Sequence, residues 1–301
     1  MNLIIPNHLM GNLPRDRLQC SRPFENIGVD FCGPFFVKER KFRNRNKIKI
    51  YVSVFICLVT KAIHLEVVSD LTTEAFLAAL KRFFSRRGAN NKLTELHQCV
   101  ERNLSQIQSQ LTNGGITWKF IPPKSPHFGG IWESAVFGES LFTFEEFNTF
   151  IIEVEAVLNS RPLTAMSIDP NDLIALSPAH FLIGTSLTTV PEHDFVDVPI
   201  NRLSNWEHIQ RVKQHFWERW SKEYLNELQQ KYKWFIKDET NIKIGSLVML
   251  KEDNMPPMRW IIGRIVALHP GDDNIVRVVT VKTNSGLYKR SIRKLALLPI
   301  D

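Results

Sequence analysis

Cysteine is scarce in this sequence: four in 301 residues, at Cys20, Cys32, Cys57 and Cys99, with no CxxC pair among them. That argues against a disulfide-stapled scaffold and a cysteine-rich zinc module, and points to free, partly buried thiols in a reducing compartment. Long apolar runs are also missing. The longest, Tyr51 to Val59, is interrupted by Ser53 and falls far short of the ~20 residues a spanning helix needs. Met1 to Asn12 has no basic flank ahead of its short apolar patch and carries Pro6, which argues against a secretory signal. Acid is absent from one stretch altogether: Asn274 to Ile300 has six basic residues and no carboxylate.

What is present is ordinary for a folded protein. Hydrophobic residues make up 44% and charged residues 23%, so a real core is expected and neither a disordered nor a fibrous chain fits. At about 150 residues per domain the length suggests two domains, or one with an appendage. The net charge of +7 is unevenly spread. Residues 1–200 hold 20 basic and 20 acidic residues, residues 201–301 hold 18 and 11, so the excess is C-terminal. Such a stretch suits phosphate neutralisation, the sequence-independent part of nucleic-acid binding. A second basic run, Lys38 to Lys49, has seven basic residues against Glu39 alone, and reads equally well as a solvated hairpin loop.

Hydrophobic periodicity gives the element order. Ile27 to Val37, Ile48 to Val59 and Ala62 to Val68 read as three strands. Thr72 caps a helix to Arg87, with Phe76, Leu77, Leu80, Phe83 and Phe84 as its stripe and Gly88 as its stop. A helical period from Leu93 to Leu111, a short strand from Ile116 to Ile121, a Pro/Gly loop from Pro122 to Gly130 and a helix from Ile131 follow. Thr143 and Glu146 form a capping box for the next helix, and Ser204 with Glu207 forms another. Asn159 to Pro199 reads as a connector with little regular structure. After Asp238 the pattern turns to short strands: Leu247 to Leu250, Trp260 to Ala267, Val276 to Val281 and Leu287 to Ile292, which suggest a small barrel. Trp260 and Tyr288 are the aromatics an aromatic cage in that barrel would use, with a core role the commoner alternative.

Several local sequences sharpen the assignment. They are Met10-Gly11-Asn12-Leu13-Pro14, Arg22-Pro23-Phe24, Gly28-Val29-Asp30-Phe31-Cys32-Gly33-Pro34-Phe35, Thr60-Lys61-Ala62-Ile63-His64-Leu65-Glu66 and Pro126-His127-Phe128-Gly129-Gly130-Ile131-Trp132-Glu133. Together with Asn159-Ser160-Arg161-Pro162-Leu163 and the tail from Trp206 to Pro299, they resemble the integrase region of Pao/BEL-type LTR retrotransposon polyproteins. The resemblance implies an α/β ribonuclease H-like domain, then a helical connector and a small C-terminal all-β barrel. The corresponding divisions are an N-terminal extension at 1–22, a catalytic core at 23–165, a connector at 166–200, a helical segment at 201–237 and a basic barrel at 238–301.

Integrases of this type hold two divalent ions, Mg²⁺ or Mn²⁺, on three carboxylates for phosphoryl transfer. By the resemblance Asp30 matches the first carboxylate and Glu133 the third. The second is missing: no Asp-Asn-Gly lies between Asp70 and Glu133, where the acids are Glu74, Glu95 and Glu101 in predicted helices. A strand and its carboxylate are deleted, so the catalytic domain is expected to be truncated, with Ile116 to Ile121 the segment available to fill the gap beside the first strand. The basic helix face expected after Glu133 is absent too, and His8 and Cys20 supply no zinc quartet. The resemblance therefore implies a DNA-integration ancestry, nuclear localisation, duplex DNA as a low-specificity partner, self-association and impaired catalysis. Lys282, Lys289, Arg290, Arg293 and Lys294 are the expected phosphate contacts. The alternatives are a non-enzymatic, chromatin-directed interaction module built on the barrel, or the product of a decayed element.

Overall fold

The computed structural model describes residues 19–39, 46–88, 142–167, 169, 171–229 and 242–298. Glu133, Cys99, the expected strand at Ile116 to Ile121 and the expected helices from Leu93 and Ile131 lie outside them. Among the described residues no helix is long and apolar enough to cross a membrane.

The first sheet is built from β1 (Ile27–Lys38), β2 (Lys47–Cys57) and β3 (Ile63–Val68), an antiparallel meander. β4 (Phe142–Thr143) joins the far side of β1 in parallel, pairing Val37 with Phe142, so the order is β3-β2-β1-β4. β1 breaks register between Cys32 and Phe35. Glycine is needed there: Gly33 has φ +127°, and a Cβ would meet the Tyr51 ring at 3.1 Å and the Ile50 carbonyl oxygen at 3.3 Å.

Helices cover both faces. α1 (Thr73–Arg87) starts where the Thr72 hydroxyl accepts from the Ala75 amide and stops at Gly88, and it buries Ala79, Leu80 and Phe83 against Phe24 and Phe55. α2 (Phe144–Asn159) begins directly from β4, with Thr143 serving as both strand residue and N-cap in a complete capping box with Glu146. Its residues Phe147, Ile151, Val154 and Leu158 cover the opposite face of the sheet, over Val37, Ile50, Val52 and Leu65.

The connector is more ordered than its composition suggests. β5 (Thr164–Ala165) pairs with β6 (Ala175–Leu176), and α3 (Pro178–Ile183) follows before a 3-10 turn at Ile200–Arg202. α4 (Asn205–Leu228) is capped by Ser204 and Glu207 and lays Ile209, Val212, Phe216 and Trp220 onto α2 and the first core.

The last third is a five-stranded antiparallel sheet of β7 (Leu247–Leu250), β8 (Ile262–Pro270), β9 (Val276–Thr283), β10 (Gly286–Ser291) and β11 (Leu295–Leu297), in the order β10-β9-β8-β7-β11. The last strand returns beside the first, after a 3-10 turn at Ile292–Lys294. Among the described residues β10 and β11 share no ladder, so the expected barrel is an open one. Gly263 permits the close crossing of β8 and β9, since a Cβ there would lie 2.7 Å from the Lys282 carbonyl oxygen. β7 is buried on both faces: Leu247 and Met249 meet α4, while Val248 and Leu250 meet Ile265, Val279 and Val281 inside the curl.

Candidate functional site

Asp30 sits on β1 in register with Val54 of β2, on the face that α2 covers farther along the sheet. It is exposed, and its Oδ1 accepts the Phe31 amide at 2.8 Å. Glu133 lies outside the described residues. Asp70, the acid nearest in sequence to α1, is a turn residue whose carboxylate accepts from the Thr72 amide at 2.9 Å and from the Thr72 hydroxyl. Those hydrogen bonds, with a further one from Ser69, hold its carboxyl below the usual range. No group of three His, Cys, Asp or Glu side chains among the described residues is arranged to hold a metal ion.

The five basic residues expected to contact phosphate occupy two kinds of place. Lys282, on β9, is exposed and donates to Asn171 Oδ1 at 2.9 Å. Lys289, on β10, is exposed opposite Thr280. Arg290 is half-buried and paired: its Nε and Nη2 donate to Glu252 Oε1 at 3.1 and 3.0 Å, and its guanidinium lies 5.2 Å from the centre of the Tyr288 ring. Arg293 and Lys294 are exposed on the 3-10 turn. The Lys294 carbonyl accepts the Lys251 amide at 2.8 Å, and burial together with the Lys294 charge holds the Lys251 ammonium below its usual value.

Trp260 does not pair with Tyr288 to line a cage. It packs edge-on against Trp217 at 4.8 Å, Tyr224 at 5.7 Å and Trp220 at 5.9 Å, and its indole N–H donates to Ser160 Oγ at 3.3 Å. These contacts weld the C-terminal sheet to α4 and to the end of α2, a core role that follows from the size of the indole and its single polar handle.

Sequence reasoning missed a buried polar network on β3. His64, 1% exposed, is flanked by Glu66 Oε1 at 3.0 Å and Glu155 Oε2 at 3.1 Å. Arg82 and Arg86 of α1 reach Glu66 at 2.6 and 2.8 Å, and Arg87 pairs with Glu155. Burial alone pushes the His64 imidazole down, but hydrogen bonds to Glu155 and Glu66 outweigh it and the Arg87 charge, leaving the imidazole above its ordinary value. Burial likewise pushes Glu66 up, and the His64 and Arg82 hydrogen bonds reverse this.

The network also caps the edge of the sheet. Asn159 accepts the Ile63 amide and donates to the Ile63 carbonyl, both at 2.8 Å; Glu155 accepts the Leu65 amide at 2.8 Å; Arg82 donates to the Val67 carbonyl at 2.9 Å. Three alternate residues of an edge strand thus bond to side chains rather than to another strand, which protects an otherwise exposed pairing edge. The sequence signal for this lay in polar Glu155 and Asn159 one turn apart beside the apolar stripe of α2.

A sequence family described as a family of unknown function, DUF5641, matches residues 204–298. The match spans α4 and the whole C-terminal sheet, the two elements joined through Trp260. No curated protein matches this chain.

Proposed function

We propose that this chain is an integrase-derived nucleic-acid-binding protein, related to retrotransposon DNA integration, in which strand transfer is impaired and duplex DNA binding is retained. The observation carrying this reading is that Lys282 and Lys289 on the C-terminal sheet and Arg293 and Lys294 on the adjoining 3-10 turn all stand exposed within a stretch that has no acid. Such a surface suits contacts to phosphates, with little base specificity and a nuclear site of action. The three-strand meander with Asp30 on its first strand is consistent with the integrase ancestry.

Among the described residues no carboxylates are grouped as a metal centre would need. Asp30 is a single acid with one oxygen already engaged by a backbone amide, and a second family acid is missing from the sequence. With Glu133 it would hold Mg²⁺ or Mn²⁺ weakly at most, since a hard divalent ion bound by so few protein ligands keeps most of its water. No catalytic step is therefore assigned to this chain.

The test is duplex binding by the full chain across a salt series, beside the variant with alanine at Lys289, Arg290, Arg293 and Lys294. Each lost phosphate contact reduces the salt slope by about 0.9, so the variant should lose about 3 from the slope, Arg290 contributing least because Glu252 holds it. Salt-independent binding, or an unchanged slope, overturns the reading. A strand-transfer assay with Mn²⁺ and a pre-processed DNA end should give equal background in the parent and in Asp30→Asn; activity that vanishes in the variant refutes the claim of impaired catalysis.

A further inference from the structure

We infer that the phosphate-contacting surface is the outer face of β8, β9 and β10, centred on Lys282, Lys289, Thr280 and His269, and that Arg290 lies on the wrong side of the sheet to share it. The inference rests on the DNA reading above and specifies where on the C-terminal sheet the backbone of a duplex lies.

Strand register assigns the faces. Side chains alternate along a strand, and residues directly opposite in neighbouring strands share a face. Lys282 stands opposite Arg264 and Leu287, Thr280 opposite Ala267 and Lys289, and Val278 opposite His269 and Ser291. The alternate positions of β9, Val279 and Val281, are fully buried with Ile265 in the inner core. The first set therefore points outward, and Arg290, opposite Val279, belongs to the inner set. Its half-burial, its pairing with Glu252 and its seat on Tyr288 follow from that position.

One end of the outer face is already covered. Arg264, 2% exposed, donates to the carbonyls of Asp172 and Ser167, and to that of Gly245 at 2.9 Å, which pins the connector over the β7 side. Among the described residues the β9–β10 end is less covered: Leu287, Lys289 and Ser291 are exposed, Lys282 is exposed at the connector's edge with its ammonium donating to Asn171 Oδ1 at 2.9 Å, and His269 Nε2 meets Thr280 Oγ1 at 2.8 Å. No acidic residue occupies any of these positions. Lys282 and Lys289 are diagonal neighbours on adjacent strands, about 7–8 Å apart at the backbone, and their long stems can follow successive phosphates. Thr280, Ser291 and His269 add short polar groups of the kind that position a backbone without reading bases. Charge complementarity thus favours the sugar-phosphate backbone of a duplex as the occupant.

The experiment measures duplex binding by the full chain against salt for four variants. Lys282→Gln with Lys289→Gln should reduce the salt slope by about 1.8, at about 0.9 per contact. Arg290→Gln should cost less than either lysine alone. Thr280→Lys, which adds a third ammonium to the face, should raise the slope by about 0.9 and remains informative even where a loss variant folds poorly. Lys222→Gln on α4, an exposed lysine paired with Glu218 and outside the outer face of β8, β9 and β10, reports any general effect of removing one charge. If the parent binds and the lysine pair leaves the slope unchanged while Arg290→Gln lowers it, the face assignment is overturned although the DNA reading stands. If the parent binds no duplex, the DNA reading fails and the face with it. Binding of polyglutamate as tight as that of duplex would replace the DNA backbone with an acidic polypeptide and overturn the assignment.

Discussion

Replacing Asn159 with leucine tests the account of the β3 edge most directly. Leucine shares the branched shape of asparagine, though bulkier, and the site is 1% exposed, so the site stays filled while both hydrogen bonds to Ile63 are lost. An unpaired buried backbone group costs about 1–3 kcal/mol. Two such groups give a loss of about 2–4 kcal/mol once allowance is made for water reaching the partly exposed Ile63. Against a total of ~5–15 kcal/mol this is a large fraction. With a urea slope of about 2 kcal/mol/M, the unfolding midpoint should fall by about 1–2 M. Circular dichroism gives the midpoint, and hydrogen exchange should show the Ile63 amide losing protection while the β1–β2 amides keep theirs until global unfolding. An unchanged midpoint with Ile63 still protected would mean that the asparagine does not clamp the strand, and the edge-capping argument would fall.

Two histidines should act on stability in opposite directions with pH. His64 is raised above 6.5, so its contribution is full below that value and lost as pH rises through its folded-state value; His64→Gln should flatten that alkaline limb, and an unaltered limb refutes the ion-pair assignment. His208 is lowered, by burial first and then by the charges of Arg211 and Lys38 against an opposing Glu146, so its contribution is full above 6.5 and lost as pH falls through its folded-state value. His208→Leu should remove that acid-side loss, as measured by urea midpoints across the pH series. Trp260→Ala should destabilise by about 2–3 kcal/mol, less than the ~3–5 kcal/mol of a fully buried tryptophan because Trp260 is half-buried, and should make the C-terminal sheet more open to limited proteolysis; a cost below about 1 kcal/mol would rule out its welding role.

Local chemistry was the legible part of this fold. Thr72, Thr143 and Ser204 each cap a helix where the sequence placed them, because a cap needs a hydroxyl and an amide two or three residues on and nothing more distant. Short apolar runs bounded by turn signals located β1, β2, β3 and β7 to within a residue or two, since these signals too are local. What stayed hidden depends on partners far along the chain. Arg264 alternates as an outward strand residue, yet it is buried because its guanidinium is held by the backbone carbonyls of Ser167 and Asp172. Glu155 and Asn159 look like solvated helix positions until the edge of β3 is known to lie against them. Trp260 reads as a barrel residue, and only the four-residue rhythm of Trp220 and Tyr224 on α4, with Trp217 three residues before Trp220, gives it a partner. Asp30 was placed on its strand, while Glu133 lies outside the described residues and its role rests on the resemblance.

The segment Asn159 to Leu163 joins the two sheets without drawing on Asp30. Asn159 clamps β3, Ser160 receives the Trp260 indole, Arg161 donates to the carbonyls of Leu158 and Lys61, and the Pro162 carbonyl receives the Tyr224 hydroxyl. Consecutive residues thereby tie the first sheet, α4 and the C-terminal sheet together, and none of these bonds involves Asp30 or the region of the missing acid. Burial lowers the Arg161 guanidinium from its ordinary value and raises the Tyr224 phenol to about 12, so the Tyr224 hydroxyl keeps the proton it donates to Pro162 through neutrality. The packing that holds the C-terminal sheet, with Lys282 and Lys289 exposed on it, to the first sheet and α4 is thus built without Asp30.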